Sequence, residues 1–468
     1  MVFSKAQTLF TLVAGVATAG GLGVTVPLAP PSTSKPIAGD HVSFSLEQDR
    51  WLDWSGSNSR NEFFFNTLDN LKQLFVSARI VRTAQDFNPG LQSAVAQLQF
   101  PAATKNVPYP EASSIVVGDG YFATARFLPK NTRVIWGVNL GANNLTSSYL
   151  VAQSIAKAFN SPEMKDDRIV LDGMIIGNEP DLFPNNGHRA PGWNVSQYIS
   201  EWQTFAGNIT NALGITSSST TKFWGGAFAG SGVVCSTGVV YIDHAYSGSF
   251  CEGNGALLQD LMTKANIRGN LTRFGPDIAV ARDRGLDYVM GETNSFACHG
   301  TPGVSNVAGA ALWTLDYLLY GAQVGISRIF FHQGIGFKYN LIQPVVLARS
   351  PVDGSPLSPP LPPHIQPQYY AAIIAAEAIG SSGQTRILEL TGYAFYEGDI
   401  LVRALFINSL AFFKKDSTRT SVHIDLAFTG AATTPSSATV KCLSILLPDG
   451  RPRGSRSLES VILVSFKR

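Results

Sequence analysis

Two glutamates in this 468-residue chain stand out by the sequence around them. Glu179 lies in Ile175-Ile176-Gly177-Asn178-Glu179-Pro180, where an apolar β-type run stops at an Asn-Glu-Pro. Glu292 lies in Tyr288-Val289-Met290-Gly291-Glu292-Thr293-Asn294, the same grammar on a later run. Pro180 has no N–H to offer a ladder, so it ends the strand and turns the chain outward, leaving a carboxyl at the tip. Two carboxyls so placed can cleave a glycosidic acetal. One, protonated, gives the leaving oxygen its proton; the other, ionised, attacks the anomeric carbon, and in retaining chemistry the two lie about 5–5.5 Å apart. Carboxyls that close drive their own pKa values apart, which separates the roles. Asn178 adds a neutral amide suited to a sugar 2-hydroxyl. A single glutamate after a strand reads as a solvated loop residue; the pairing of two strand tips carries the chemistry.

Such a pair needs a scaffold that brings distant strand ends together. Apolar β-type runs occur at 42–46, 76–81, 133–139, 171–177, 223–227, 239–244, 288–291 and 327–332. Between several of them lie amphipathic stretches of helical length. In 148–159, Leu150, Val151, Ile155 and Phe159 share a face; in 195–213, Tyr198, Trp202, Phe205 and Ile209 do; in 304–320, Ala308, Leu312, Leu315 and Leu319 do. Alternating strand and helix predicts a parallel sheet, and eight repeats predict a closed (β/α)8 TIM barrel over 40–380, with chemistry at the C-terminal strand tips. Glu179 then tips strand four and Glu292 strand seven. An open doubly wound sheet is the alternative, but no Gly-x-Gly-x-x-Gly opens a helix after the first run. From Thr385 the texture changes to short β-type runs at 401–406, 422–428 and 461–466, which predicts a C-terminal antiparallel β-sandwich over 385–468, joined by 24–36. The stretch 351–367 is too Pro-rich for a regular element and is expected as a loop over the barrel mouth or a link to a last helix at 368–379.

Composition bounds the ligand. With 45% hydrophobic and 15% charged residues the chain can bury a large core, and a net charge of +2 from 35 basic and 33 acidic side chains leaves no nucleic-acid footprint. Lys5, the apolar run 9–16 and Ala17-Thr18-Ala19 read as a signal peptide over 1–19. That run is shorter than the roughly 20 residues a bilayer span needs. The expectation is a soluble, secreted protein with no membrane partner. Asn144, Asn194, Asn208 and Asn270 begin Asn-x-Ser/Thr sequons and are expected to carry glycans. Cys235, Cys251, Cys298 and Cys442 lack the spacing of a zinc site; one bridge among the first three is expected, and no metal or cofactor. Nothing in the sequence reads on oligomeric state.

Asn178-Glu179 and Glu292 resemble the signature of clan A glycoside hydrolases. More narrowly, Val42-Ser43-Phe44-Ser45-Leu46-Glu47, Gly177-Asn178-Glu179-Pro180-Asp181, Gly291-Glu292-Thr293-Asn294-Ser295 and Phe331-His332-Gln333-Gly334-Ile335-Gly336-Phe337-Lys338-Tyr339-Asn340 resemble glycoside hydrolase family 79, nearest its fungal secreted β-glucuronidases. The resemblance covers 24–379 and, loosely, the tail. It implies release of β-linked glucuronic acid, with or without a 4-O-methyl group, with retention. Glu179 would be acid/base and Glu292 nucleophile. Glu47, Asn178 and Gln333 would bind sugar hydroxyls, and Tyr339 the uronate carboxylate. The chain departs from the family after strand two, where Arg79-Ile80-Val81-Arg82-Thr83-Ala84-Gln85-Asp86 replaces an Arg-Ile-Gly-Gly-Asn and puts side chains on the substrate wall, and in its Arg-rich 451–456 stretch. Two other readings stand: a clan A enzyme on a neutral sugar, which would have no carboxylate to bind at Tyr339, and a secreted, non-catalytic carbohydrate-binding protein on a degenerate barrel, which a hydrolysis assay separates.

Overall fold

The structure is a computed structural model that describes the chain apart from residues 1, 5–9, 12–20, 72–76, 82–85, 89–90, 92–93, 95, 231–239, 252–255, 412–421, 445–458 and 468. The eight β-type runs are all strands: β1 Val42–Glu47, β2 Ser77–Val81, β3 Arg133–Val138, β4 Val170–Ile176, β5 Lys222–Phe228, β6 Val240–Tyr246, β7 Asp287–Asn294 and β8 Arg328–Gln333. Each pairs in parallel with its sequence neighbour. β8 returns to β1, with Ile329 beside Val42 and Gln333 beside Leu46, so the sheet closes into a barrel. Apart from β2, the strands are buried on both faces over most of their length, which is why they read as near-continuous apolar runs rather than alternating ones.

Ile135, Ile175, Trp224, Ile242, Val289 and Phe330, one from each of six strands, form a cluster of their own apart from the larger outer core. At the N-terminal ends of the strands Arg133 bonds Asp172 at 2.5 Å and Asp40 at 3.1 Å, Arg328 bonds Asp172 at 3.0 Å, and the Arg328 guanidinium lies 4.6 Å over Trp224. Stability thus sits at one end of the barrel and leaves the C-terminal end for the site.

The outer layer comprises α1 Glu62–Asp69, α2 Leu145–Phe159, α3 Val195–Leu213, α4 Lys264–Thr272, α5 Gly275–Asp283, α6 Ala308–Val324 and α7 Pro367–Ile379. The Asn144 side chain caps α2, accepting from Ser147 N. Asn194 caps α3 in a reciprocal box with Gln197, and α3 stops at Gly214 in the left-handed region. Val151, Ile155 and Phe159 of α2 and Tyr198, Trp202, Phe205 and Ile209 of α3 are the buried residues the periodicity marked. Helix α6 starts four residues later than its apolar spacing suggests, because Ser305 is spent on the preceding turn, its hydroxyl accepting from Thr301 N and bonding Ser295.

The C-terminal sheet is antiparallel. Its strands are β9 Thr385–Glu389, β10 Tyr393–Glu397, β11 Ile400–Ile407, β13 Ser437–Ser444 and β14 Glu459–Lys467, in the order β13-β14-β11-β10-β9. Its second layer differs from expectation. Leu22–Pro27 pairs in parallel, not antiparallel, with β12 Ile424–Thr429, because the two segments run the same way across the sheet. Val24, Val26 and Leu28 pack on Ala394, Tyr396, Ala404 and Phe406, so the N-terminal segment lies against the C-terminal sheet. Of residues 1–19, the described Val2–Ser4 and Phe10–Thr11 pair with β13. The domains meet through Arg268 of α4, which bonds Asp316 at 2.6 Å and also Glu389, while Tyr393 Oη donates to Asp316 at 2.5 Å.

The Pro-rich stretch is not structureless. Pro356–Leu361 pairs antiparallel with Leu347–Arg349, and His364–Ile365 with Ile342–Gln343. Prolines are tolerated in strands so short, whose outer edge needs no N–H donor. Cys251 and Cys298 form a disulfide; Cys235, residues 82–85 and the Arg-rich stretch lie outside the described residues.

Candidate active site

The two glutamates meet at the C-terminal mouth. Glu179 follows β4 with φ +48° and ψ +53°, a left-handed conformation that an L side chain adopts at a cost. Its N–H donates to Ala227 O at 2.8 Å, and Pro180 starts a short 3-10 turn, so the carboxyl is turned off the ladder into the mouth. Glu292 reaches the site through a bulge. Asp243 of β6 lies beside Met290 but His244 beside Glu292, so Gly291 is an extra residue on β7. Bulges of this kind re-aim the side chain that follows them.

His244 stands between the two acids. Its Nδ1 is 3.0 Å from Glu179 Oε1 and 4.0 Å from Glu292 Oε2, and one oxygen of each acid and a His244 ring nitrogen lie within 4.8 Å of one another. An approach of this order is nearer the roughly 5–5.5 Å between carboxyls of retaining sites than the roughly 6.5–9.5 Å of inverting ones. The same three atoms are spaced as a cation would need, so they are the residues that could hold a metal.

The acids differ in surroundings. The Glu292 side chain is 10% exposed and Glu179 27%. Tyr246 Oη donates to Glu292 Oε1 at 2.8 Å, and His332 Nδ1 is 3.9 Å from its other oxygen. Burial first, and then the Glu292 charge, pushes the Tyr246 and Tyr339 phenols well above their ordinary range, so both stay protonated. Tyr339 is buried, its ring centroid 6.2 Å from that of Tyr246, with which its hydroxyl interacts.

A cleft of about 600 Å³ opens beside the pair, lined among others by Glu47, Asp49, Glu111, Asn139, Asn178 and Glu179. Glu47 bonds His332 Nε2 at 3.1 Å, so it lines the cleft and is ion-paired at once. Burial, then the charge of Glu47, raises the Asp49 carboxyl above its ordinary value, against a 2.6 Å bond from Ala112 N.

Gln333 is a correction. Its Nε2 donates to His332 O at 2.8 Å and its Oε1 accepts from Leu341 N at 2.7 Å, with the side chain wholly buried. Both ends of the amide are committed to closing the loop after β8, so it does not reach a sugar. His244, Tyr246 and His332 join the site as well, and no motif in the sequence assigns them a role. The signal was there: His244 and Tyr246 are two apart at the end of a strand, hence on one face, and that face is the one Glu179 and Glu292 share.

Of the sequon residues, Asn144 and Asn194 are exposed and Asn208 and Asn270 half-buried within α3 and α4. The two exposed residues cap helices through Oδ1, so the cap does not use the Nδ2 that a glycan would occupy.

Paired carboxylates at the tips of strands four and seven of a closed (β/α)8 barrel make this chain a glycoside hydrolase. No family model matches it. A β-glucuronidase of Neurospora crassa is 28% identical over 426 residues, covering 80% of this chain and 73% of that protein. A β-glucuronidase of Aspergillus niger is 27% identical over 478 residues, covering 94% and 84%. Among solved structures, a 4-O-α-L-rhamnosyl-β-D-glucuronidase from Fusarium oxysporum 12S superposes with a TM-score of 0.68 at 21% identity, covering 95% of this chain and 100% of that one. A β-xylosidase from Caulobacter crescentus CB15 follows at 0.52 and 12%, covering 96% and 99%. The chain is similar to fungal β-glucuronidases, in keeping with the resemblance of its motifs to family 79.

Proposed function

We propose that this protein is a secreted, retaining, exo-acting β-glucuronidase that releases glucuronic acid, plain or 4-O-methylated, from glycans or glycoconjugates. The observation that carries the mechanism is the approach of Glu179 and Glu292 within 4.8 Å. Glu292, held by Tyr246, attacks the anomeric carbon as the glycosidic bond breaks, and Glu179 gives its proton to the leaving oxygen. Glu179 then takes a proton from water, which displaces Glu292 with a second inversion. The assignment of roles follows exposure. The acid/base must reach both the leaving group and water, and Glu179 faces the cleft; the nucleophile must stay ionised, and Glu292 keeps a phenol donor. His244, 3.0 Å from Glu179, positions it.

The uronate reading rests on Tyr339, whose phenol stays protonated beside Glu292 and can donate to a C6 carboxylate. Secretion is supported by the apolar leader and by the Cys251–Cys298 bridge, which suits an oxidising compartment. The test is hydrolysis of an aryl β-glucuronide against the matching aryl β-glucoside, with the first-formed anomer read by proton NMR. Preferential cleavage of the glucuronide with β-anomer first supports the proposal. Preference for the glucoside favours the neutral-sugar enzyme, and no cleavage of either favours the binding protein.

A further inference from the structure

A hollow of about 440 Å³ lies where the first residues after β6 and β7 face α4, and it shares no lining residue with the catalytic cleft. Ser247 and Phe296, from just beyond those strands, and Leu257 and Asp260, at the short helix Leu258–Met262, form one side. The other side is a face of α4 that carries Asn266, Gly269 and Asn270, about one turn apart. The rest of α4 is committed to packing: Ile267 and Leu271 are buried, and Arg268 holds Asp316 at 2.6 Å. Asn270 opens the sequon Asn270-Leu271-Thr272, so the asparagine of the sequon faces the hollow while its neighbour Leu271 anchors the helix.

Leu257 is 68% exposed. Standing alone such a residue needs no explanation. This one shares the hollow with a half-buried asparagine whose side-chain amide, among the described residues, makes no hydrogen bond. Asp260 and Asn266 are exposed and give the hollow a polar rim, with Asn266 Nδ2 donating to Asp260 O at 2.9 Å. A Cβ placed on Gly269 would meet no other part of the chain within 4 Å, so the space beside Asn270 is open. An apolar wall under a polar rim suits a pyranose, which shows C–H bonds on one face and hydroxyl and acetamide groups at its edge. The volume is that of a small-molecule site.

We propose that Asn270 is N-glycosylated and that the first N-acetylglucosamine of its glycan is seated in this hollow, packed on Leu257 with its polar edge toward Asp260 and Asn266. On the unfolded chain the Asn270 amide nitrogen attacks the anomeric carbon of a lipid-linked diphospho-sugar. An Nδ2–C1 bond replaces one N–H, the C1–O bond to the diphosphate breaks, and the diphosphate leaves with that electron pair while the amide proton passes to base. Helix α4 then forms with the sugar in place, covering a leucine that would otherwise face water. This seat rests on the secretory reading above, since only chains entering that route meet the donor.

The test is site-resolved release by peptide N-glycanase from the full chain secreted by a yeast host, in heavy-oxygen water, with each freed Asn read as labelled Asp by peptide mass spectrometry. Asn144 and Asn194, exposed at helix N-termini, are the internal standards. In the native protein Asn270 should be released at least about tenfold more slowly than either, because the enzyme reaches the linkage only after the sugar has left its seat, and tenfold corresponds to a seat worth about 1.4 kcal/mol. After denaturation the three sites should be released alike. Leu257→Asp, a change at an exposed position, should leave Asn270 occupied and bring its native release to the rate of Asn144 and Asn194. Asn270 bare while Asn144 and Asn194 carry glycans, native release of Asn270 as fast as theirs, slow release that persists after denaturation, or slow release unchanged in Leu257→Asp would each overturn the seat. If all three are bare, the secretory reading falls and the seat with it.

Discussion

Replacing Tyr246 with Phe removes one oxygen, and the structure says what that oxygen does. It donates to Glu292 Oε1 at 2.8 Å, on a carboxylate that is only 10% exposed and so cannot recruit bulk water in its place. The ring stays, so packing against Tyr339 at 6.2 Å is retained. A hydrogen bond to a charged group is worth about 1.5–3 kcal/mol by deletion, and each 1.4 kcal/mol is about tenfold. Tyr246→Phe should therefore lower kcat/KM about 10–150-fold. Because the phenol favours the ionised form of the nucleophile, its loss should also move the acid limb of the pH–rate profile upward. The assay is kcat/KM for aryl β-glucuronide and aryl β-glucoside across pH. Tyr246 acts on the nucleophile, so the glucoside should lose as well, while the contact of Tyr246 with the Tyr339 hydroxyl adds a loss confined to the glucuronide. Tyr339→Phe is the contrast: if Tyr339 holds the uronate, the glucuronide should lose about 10–150-fold and the glucoside much less. A Tyr246 variant with wild-type activity and an unmoved acid limb would refute the role given to this bond. Equal losses on both substrates in the Tyr339 variant would make that residue structural and remove the support for a uronate.

Glu179→Ala and Glu292→Ala should each retain under about a tenth of wild-type turnover with folding intact, and azide should rescue only Glu179→Ala on an activated substrate, giving the β-azide; an α-azide would reverse the two roles. Burial raises Asp243 to about 8 despite the 2.8 Å bond from Tyr288, so its cost is absent below the unfolded pKa near 4 and grows as pH rises toward 8. Asp243→Asn, which keeps the neutral form, should match wild type near pH 4 and exceed it by up to about 4 kcal/mol near pH 7, a few degrees in a thermal melt; a gap independent of pH refutes this. Arg268→Ala leaves Asp316 buried between the two parts with the Tyr393 hydroxyl but no cation beside it and should cost about 3–5 kcal/mol in urea unfolding, whereas a loss under about 1 kcal/mol would mean the junction does not depend on it.

The sequence by itself determined the barrel. Eight apolar runs alternating with 3.6-period stretches favour a closed barrel over an open doubly wound sheet, and each strand lies within a few residues of its run because a parallel sheet covered by helices leaves a near-unbroken apolar signature. It also put Glu179 and Glu292 at the ends of their runs, where a parallel barrel gathers strand tips on one side; the left-handed turn at Glu179 and the bulge before Glu292 then aim the carboxyls. Tertiary structure decided what surrounds them. His244 and Tyr246 became site residues only when the bulge at Gly291 set β7 against β6, and a register shift leaves no trace in composition. Gln333 sits in the same motif as Tyr339, yet its amide is consumed by the loop it closes, because hydrogen-bond partners eight residues away are chosen by the turn between them. The parallel pairing of Leu22–Pro27 with β12 was likewise invisible, since an isolated apolar run carries no direction.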